Sequence, residues 1–150
     1  MGHAFTVEDT TENAPVDDLA EEKFCLEYGL ARCALAYPLR DEALQWAQEK
    51  VGVYWDRDSL SGGLGDAARH AYWMCRTAED FGVDFAKGLG DAHEEDSGYI
   101  YEYKEGELNN PCENKLMDLH NNGIGRDLAG QPGTCEEKVL NSLDALRTRY

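Results

Sequence analysis

Basic residues are scarce in this chain. Fourteen lysines and arginines face 30 aspartates and glutamates, for a formal net charge of −16 over 150 residues. A surface of that sign repels phosphate backbones and anionic headgroups, so no nucleic acid is expected as a partner through a basic patch. Long apolar runs are missing too. Nothing approaches the ~20 residues a helix needs to cross a bilayer, and no membrane span is expected. No internal repeat, heptad run or low-complexity segment is present. No signal peptide is visible, and Met1-Gly2-His3 reads as a start that has replaced one.

Cysteine, by contrast, is plentiful. Five cysteines (Cys25, Cys33, Cys75, Cys112, Cys135) are many for a reducing compartment and suggest two bridges and one free thiol in an oxidising one. Their spacing fits no Cys-x2-Cys zinc pattern. The length suits one domain, residues 16–150, preceded by a polar, aperiodic arm over 1–15.

Periodicity makes that domain mainly α: a compact bundle of about six helices, with a short β-hairpin or flap near 97–113. The first helix starts at Asp17–Asp18 and carries Ala20, Phe24, Ala31 and Leu35 on one stripe, weakened by Gly29. Run through, it separates Cys25 and Cys33 by about 12 Å and forbids a bond; broken at Gly29, it allows one. Pro38 ends that helix or opens the next, which reaches Trp55. Asp56–Gly65 is a loop by composition. The third helix covers Asp66–Asp80, the fourth Val83–Glu95 after a break at Gly82, and the fifth Asn114–Leu128. The last follows a capping box, Thr134 to Glu137, and carries Val139, Leu143, Leu146 and Tyr150 on one face. Between the fourth and fifth, Tyr99, Ile100, Tyr101 and Tyr103 have β-type side chains before a turn at Lys104–Glu107.

Three segments hold the polar residues in core-facing positions: GDAARHAYW (Gly65–Trp73), GDAHEE (Gly90–Glu95) and MDLHNNGIGR (Met117–Arg126). In the first, Ala67, Ala71, Met74, Cys75 and Ala78 form a small-residue face that buries Cys75 and makes it the odd thiol. The opposite arc carries Asp66, Arg69, His70 and Trp73, with Asp66 one turn from His70 and able to fix its tautomer. Alternatively Asp66 is a simple helix cap and Arg69 is solvated. On the fourth helix His93 points inward and Glu94 sits at the margin of the apolar stripe. On the fifth, Asp118, Asn121, Asn122 and Gly125 share a sector, Arg126 lies further round, and His120 lies about 160° from Asp118, which makes it structural or exposed. Gly123 and Gly125 each cost roughly 1 kcal/mol in a helix. Close approach of a neighbour explains them, and so does a helix that ends early.

These motifs, in this order, resemble an uncharacterised bacterial family found in secreted and wall-associated proteins and as carboxy-terminal toxin-like domains of large repeat proteins. The resemblance runs from Phe24 to the end and includes Cys25 and Cys33. It implies a small helical domain, secreted or periplasmic deployment, and Arg69, His70, His93, Glu94, Asp118, Asn121, Asn122 and Arg126 as motif residues. It implies no established reaction.

The leading functional expectation is a hydrolase of cell-envelope material, first a glycan such as peptidoglycan. Glu94, His70 and Asp118 would be its catalytic groups, with Glu94 the acid whose neutral form desolvation favours. Asp66, Arg69, His93, Asn121, Asn122 and Arg126 would bind or orient substrate. That chemistry needs no cofactor. A second expectation is a metal-assisted phosphoesterase or phospholipase, with a divalent ion on His70, His93, Glu94 and Asp118. A third is a non-enzymatic acidic protein of the inhibitor or immunity type. Partners follow from the choice: an envelope polymer or lipid as substrate, and a cognate inhibitor or immunity protein.

Overall fold

Gly29 decides how the chain begins to fold. It adopts φ 124°, a conformation open to glycine and costly for other residues, and divides what the apolar stripe presents as one helix into α1 (Leu19–Tyr28) and α2 (Leu30–Glu49). The turn brings the Cα atoms of Cys25 and Cys33 to 5.9 Å, and the two sulfurs are bonded. The computed structural model describes residues 19–104 and 111–148, with side chains outside 96–114. The arm at 1–15 and Tyr150 lie outside the described residues.

Among those residues the chain forms six α-helices and no strand. α3 is Leu64–Phe81, α4 Val83–Lys104, α5 Pro111–Leu128 and α6 Cys135–Leu140, with 3-10 turns at Arg57–Leu60 and Leu143–Ala145. α3 is the axis: it packs against α2, α4, α5 and α6, while α4 also meets α1 and α5. α2 lies on α3 through Trp46, whose ring stacks on Tyr72 at 4.4 Å. Glu42 adds a polar seam, taking the Tyr72 hydroxyl and the Arg76 guanidinium.

The structure corrects four expectations, each for a physical reason. Pro38 neither ends nor starts a helix; it lies inside α2. Its missing N–H and ring clash cost about 3 kcal/mol. Buried residues on both sides of it (Cys33, Ala36, Leu39, Ala43, Trp46 and Ala47) hold the helix together. The hairpin near 97–113 does not form where the backbone is described: α4 runs on to Lys104 and α5 starts at Pro111. Extending an existing helix adds a hydrogen bond for each residue fixed, whereas a hairpin needs its own nucleus, and the helix penalty of tyrosine is only a few tenths of a kcal/mol. The turn at 105–107 lies outside the described residues.

The last helix stops at Leu140, although its capping box forms as expected. α5 claims the backbone that follows: the Asn121 amide donates to the Arg147 carbonyl at 2.9 Å and its oxygen accepts the Arg147 N–H at 2.8 Å. Cys75, finally, is no free thiol. The small-residue face of α3 lets α6 approach so closely that Cys75 meets Cys135, Cα to Cα 6.0 Å, and the two are bonded.

Gly125 sets the approach of α5 to α3. A Cβ at this position would lie 2.2 Å from the carbonyl oxygen of Ala71. Backbone cannot give way as a side-chain tip can. Gly125→Ala should therefore destabilise the protein by about 1–3 kcal/mol in urea unfolding, although alanine is the better helix former by about 1 kcal/mol. Two bridges among five cysteines leave Cys112, whose side chain lies outside the described set. Alkylation of denatured, unreduced protein should label Cys112 and leave Cys75 unlabelled; label on Cys75 would contradict the α3–α6 bridge.

Candidate functional site

The polar arc of α3 is built from its first turn. Gly63, not Asp66, is the N-cap. Asp66 sits three residues further in, where Oδ2 accepts the Gly62 N–H at 3.0 Å and Oδ1 takes the Arg69 guanidinium. His70 Nδ1 lies 3.0 Å from the Asp66 carbonyl oxygen and 3.5 Å from its carboxylate. Both partners are acceptors, so Nδ1 carries hydrogen. Nε2 turns inward to Glu94 Oε2 at 3.5 Å and Asp118 Oδ2 at 3.8 Å. One imidazole thus joins α3, α4 and α5.

Charge is distributed unevenly over this buried group. Burial opposes ionisation of Asp66, but the hydrogen bond and charge of His70, the charge of Arg69 and the Gly62 N–H outweigh it and hold the carboxyl well below its usual range. Burial likewise opposes a charged His70, yet the facing carboxylates of Asp66, Glu94 and Asp118 keep the imidazole cationic well above its ordinary range. Glu94 is 1% exposed. Burial raises it, and His70, His93 and the Asn122 amide bring it below its ordinary value. Asp118 goes the other way. Burial pushes it up first, against the pull of His70, and the charges of Glu94 and Asp66 and a hydrogen bond with Glu94 help raise it to about 7. The sequence points to Glu94 as the carboxyl kept neutral; in the structure that group is Asp118, because the imidazolium and the Asn122 amide stabilise charge on Glu94.

His93 faces a different neighbour. Its Nδ1 lies 2.8 Å from Glu21 Oε2 on α1, its ring meets Trp73 edge-on at 5.2 Å, and its side chain is 22% exposed. The inner position on α4 therefore belongs to Glu94 rather than His93, since α3 and α5 close over one side of the helix and α1 over the other. Glu21 is fully buried and paired with Arg40 Nη1 at 3.0 Å. Neither residue stands out in the sequence. The available signal was spacing: Glu21 lies one turn before Cys25 and three residues before Phe24, both buried.

α5 divides its polar residues between two tasks. The Asn122 amide donates to Glu94 Oε2 at 3.2 Å, whereas both polar atoms of Asn121 are committed to Arg147. His120 bonds the Ala145 carbonyl at 2.8 Å. Gly90 admits Asn122: a Cβ there would lie 3.3 Å from its amide nitrogen and 2.8 Å from Met74 Sδ. Arg126 Nη2 lies 3.6 Å from where a Gly123 Cβ would be, so its guanidinium reaches back along the helix. Asp118 Oδ1, Asn122 Oδ1 and Arg126 Nη1 are buried without a hydrogen-bond partner. Buried oxygens of this kind call for a donor or a cation.

Two groups have the spacing of metal ligands. One nitrogen of His70, one of His93 and a Glu94 oxygen lie within 4.8 Å of one another, as do atoms of Asp66, His70 and Asp118. A third group, Cys75, Glu79 and Cys135, contains a disulfide and is not a ligand set. His70 belongs to both of the others.

The chain belongs to a family defined as a domain of unknown function (DUF6973), whose model matches residues 23–147. No solved structure matches the chain.

Asp118 gives the site a pH signature. Its carboxyl binds its proton more tightly in the fold, at about 7, than in the unfolded chain, at about 3.9. The stability this contributes is full below pH ~4 and is lost as the pH rises towards 7. Asp118→Asn cannot ionise. Measured by urea unfolding in the presence of chelator, the variant should gain on the wild type by about 2–3 kcal/mol between pH 5 and pH 8. An unchanged difference would mean that Asp118 is ionised throughout.

Proposed function

We propose that this family member is a metal-assisted hydrolase of phosphoester bonds, deployed outside the cytoplasm against anionic envelope material. The observation that carries the reading is the spacing around His70. Its inward nitrogen is 3.5 Å from Glu94 Oε2 and 3.8 Å from Asp118 Oδ2, too long for good hydrogen bonds. Two ligands about 2.1 Å from a tetrahedral ion are about 3.4 Å apart. Support also comes from the imidazoles, each with Nδ1 engaged by an acceptor, as second-shell partners arrange metal-bound histidines.

A mixed nitrogen and carboxylate set suits zinc, with manganese the next choice. Such an ion lowers the pKa of a bound water to about 7 and polarises a phosphoryl oxygen. The residues of the chain would divide the remaining work. His70, His93 and Glu94, whose ligand atoms lie within 4.8 Å of one another, would hold the ion, with Asp118 Oδ2, 3.8 Å from the His70 nitrogen, as a further ligand, and Asp66 and Asn122 would keep His70 and Glu94 in register. Arg126, with a buried and unpaired Nη1, is the donor for a phosphate oxygen, and Arg69 adds charge at the partly exposed edge. The two bridges, Cys25–Cys33 and Cys75–Cys135, fit an oxidising compartment, and no described helix is long and apolar enough to cross a membrane.

The glycan alternative loses ground on the carboxyl pair. Glycosidases separate their two carboxyls by about 5–9.5 Å to admit a glycosidic oxygen or a water. Here both carboxyls converge on one imidazole nitrogen, Glu94 Oε2 at 3.5 Å and Asp118 Oδ2 at 3.8 Å. A purely non-enzymatic module would be expected to pair its buried polar atoms, and three in this site are unpaired.

The test is metal content together with turnover. Purified protein should hold close to one zinc or manganese per chain. It should hydrolyse bis(p-nitrophenyl) phosphate or phospholipid vesicles, lose that activity to chelator, regain it with metal and lack it in Glu94→Gln. Turnover of peptidoglycan that survives chelation would overturn the metal reading in favour of a metal-free acid–base site. Neither metal nor turnover would leave the binding-protein reading.

A further inference from the structure

One buried charge is not used by this chemistry. Glu21 is fully buried on α1, 72 residues from the imidazole it touches. We infer that Glu21 is a positioning residue: held in place by the disulfide-closed α1–α2 hairpin, it fixes the ring and tautomer of His93 so that Nε2 is presented to a divalent cation. This rests on the metal reading above for the identity of the ligand, but not for the tautomer.

The contacts of Nδ1 determine that tautomer. Nδ1 lies 2.8 Å from Glu21 Oε2 and 3.2 Å from Arg40 Nη2. A ring nitrogen either donates to the carboxylate or accepts from the guanidinium; it cannot do both. Glu21 Oε1 is already ion-paired with Arg40 Nη1 at 3.0 Å, the contact of a carboxylate, so Oε2 faces Nδ1 as an acceptor. The shorter contact is then Nδ1–H donating to Glu21. Arg40 serves the carboxylate through Nη1 at 3.0 Å, with its guanidinium carbon 5.4 Å from the Trp73 ring centroid. Nδ1 is thereby protonated, and the lone pair of a neutral His93 sits on Nε2. One nitrogen of His93 is within ligand spacing of His70 and Glu94.

The hairpin is what holds the carboxylate in place. α1 has ten residues, too few to be stable as a helix by itself. Cys25 follows Glu21 by one turn on the same face and is bonded to Cys33 at the start of α2. Phe24 locks the same turn onto α4: a Cβ at Gly88 would fall 2.2 Å from its Cε1. The carboxylate, the bridge and the aromatic anchor lie within five residues of one another.

The experiment has two arms. In metal-free wild type above pH 8, 15N NMR of the imidazoles should show His93 as the Nδ1–H tautomer; finding Nε2–H would overturn the proposal whether or not metal binds. In the second arm, zinc binding to the full chain is titrated calorimetrically. Glu21→Gln should weaken it by roughly 10- to 100-fold, with the far-ultraviolet spectrum of the wild type retained. Unchanged zinc affinity in Glu21→Gln would overturn the positioning role. Should the wild type bind neither zinc nor manganese, the metal reading falls; the tautomer measurement still decides what Glu21 does.

Discussion

Buried negative charge is the constraint around which this helical bundle is arranged. Glu21, Glu94 and Asp118 are buried on three different helices, and Asp66 is partly buried on a fourth. Each would favour unfolding if left ionised without a partner. The structure answers with His70 at the centre, Arg40 and His93 on one side and Arg69 on the other. Compensation is incomplete at Asp118, and the result is a carboxyl raised to about 7. Buried ion pairs add little net stability compared with apolar packing. A fold that keeps this many spends stability on something other than its core.

Close helix packing makes the cluster possible. α3 turns alanines and Cys75 towards its neighbours, Gly125 lets α5 come against the Ala71 carbonyl, and Gly90 leaves room for Asn122 and Met74. Without these small residues, Asp118 and Asn122 could not come within reach of His70 and Glu94. The same face admits α6, where the Cys75–Cys135 bridge closes a separation of 60 residues. Chain-entropy arguments give such a bridge about 4 kcal/mol. Part of what the buried charges cost is offset there.

The local pattern of the sequence was enough to locate the arc of Asp66, Arg69, His70 and Trp73, the burial of Asn122 and the capping box at Thr134. All of these follow from helical phase over one or two turns. Pairings between distant segments were not legible. Glu21 is one acidic residue among 30, and nothing in its neighbourhood specifies that His93 lies opposite. Cys75 was correctly placed as buried on the small-residue face, but which helix would fill that face depends on the turn at 130–133. The helices at Pro38 and Tyr99–Tyr103 were missed for a different reason. Local preferences of a few tenths to about 3 kcal/mol were overridden by packing or by continuation of a helix already formed.

Asp118 links the proton and the cation readings. Asp118 holds its proton more tightly than an ordinary carboxyl, and the His70 imidazole is held cationic well above its ordinary range. A divalent ion at the same place needs bare carboxylates and a neutral imidazole, so it must displace both protons. The cluster is therefore a site for positive charge, and on the proposed reading a metal would supply what protons otherwise do, with the net charge of the surroundings nearly the same in either case. That equivalence accounts for so many acidic groups staying buried. A structural salt-bridge cluster would be satisfied by protonated imidazoles in any orientation that reaches an oxygen; here both rings meet an acceptor through Nδ1, at 3.0 Å for His70 and 2.8 Å for His93.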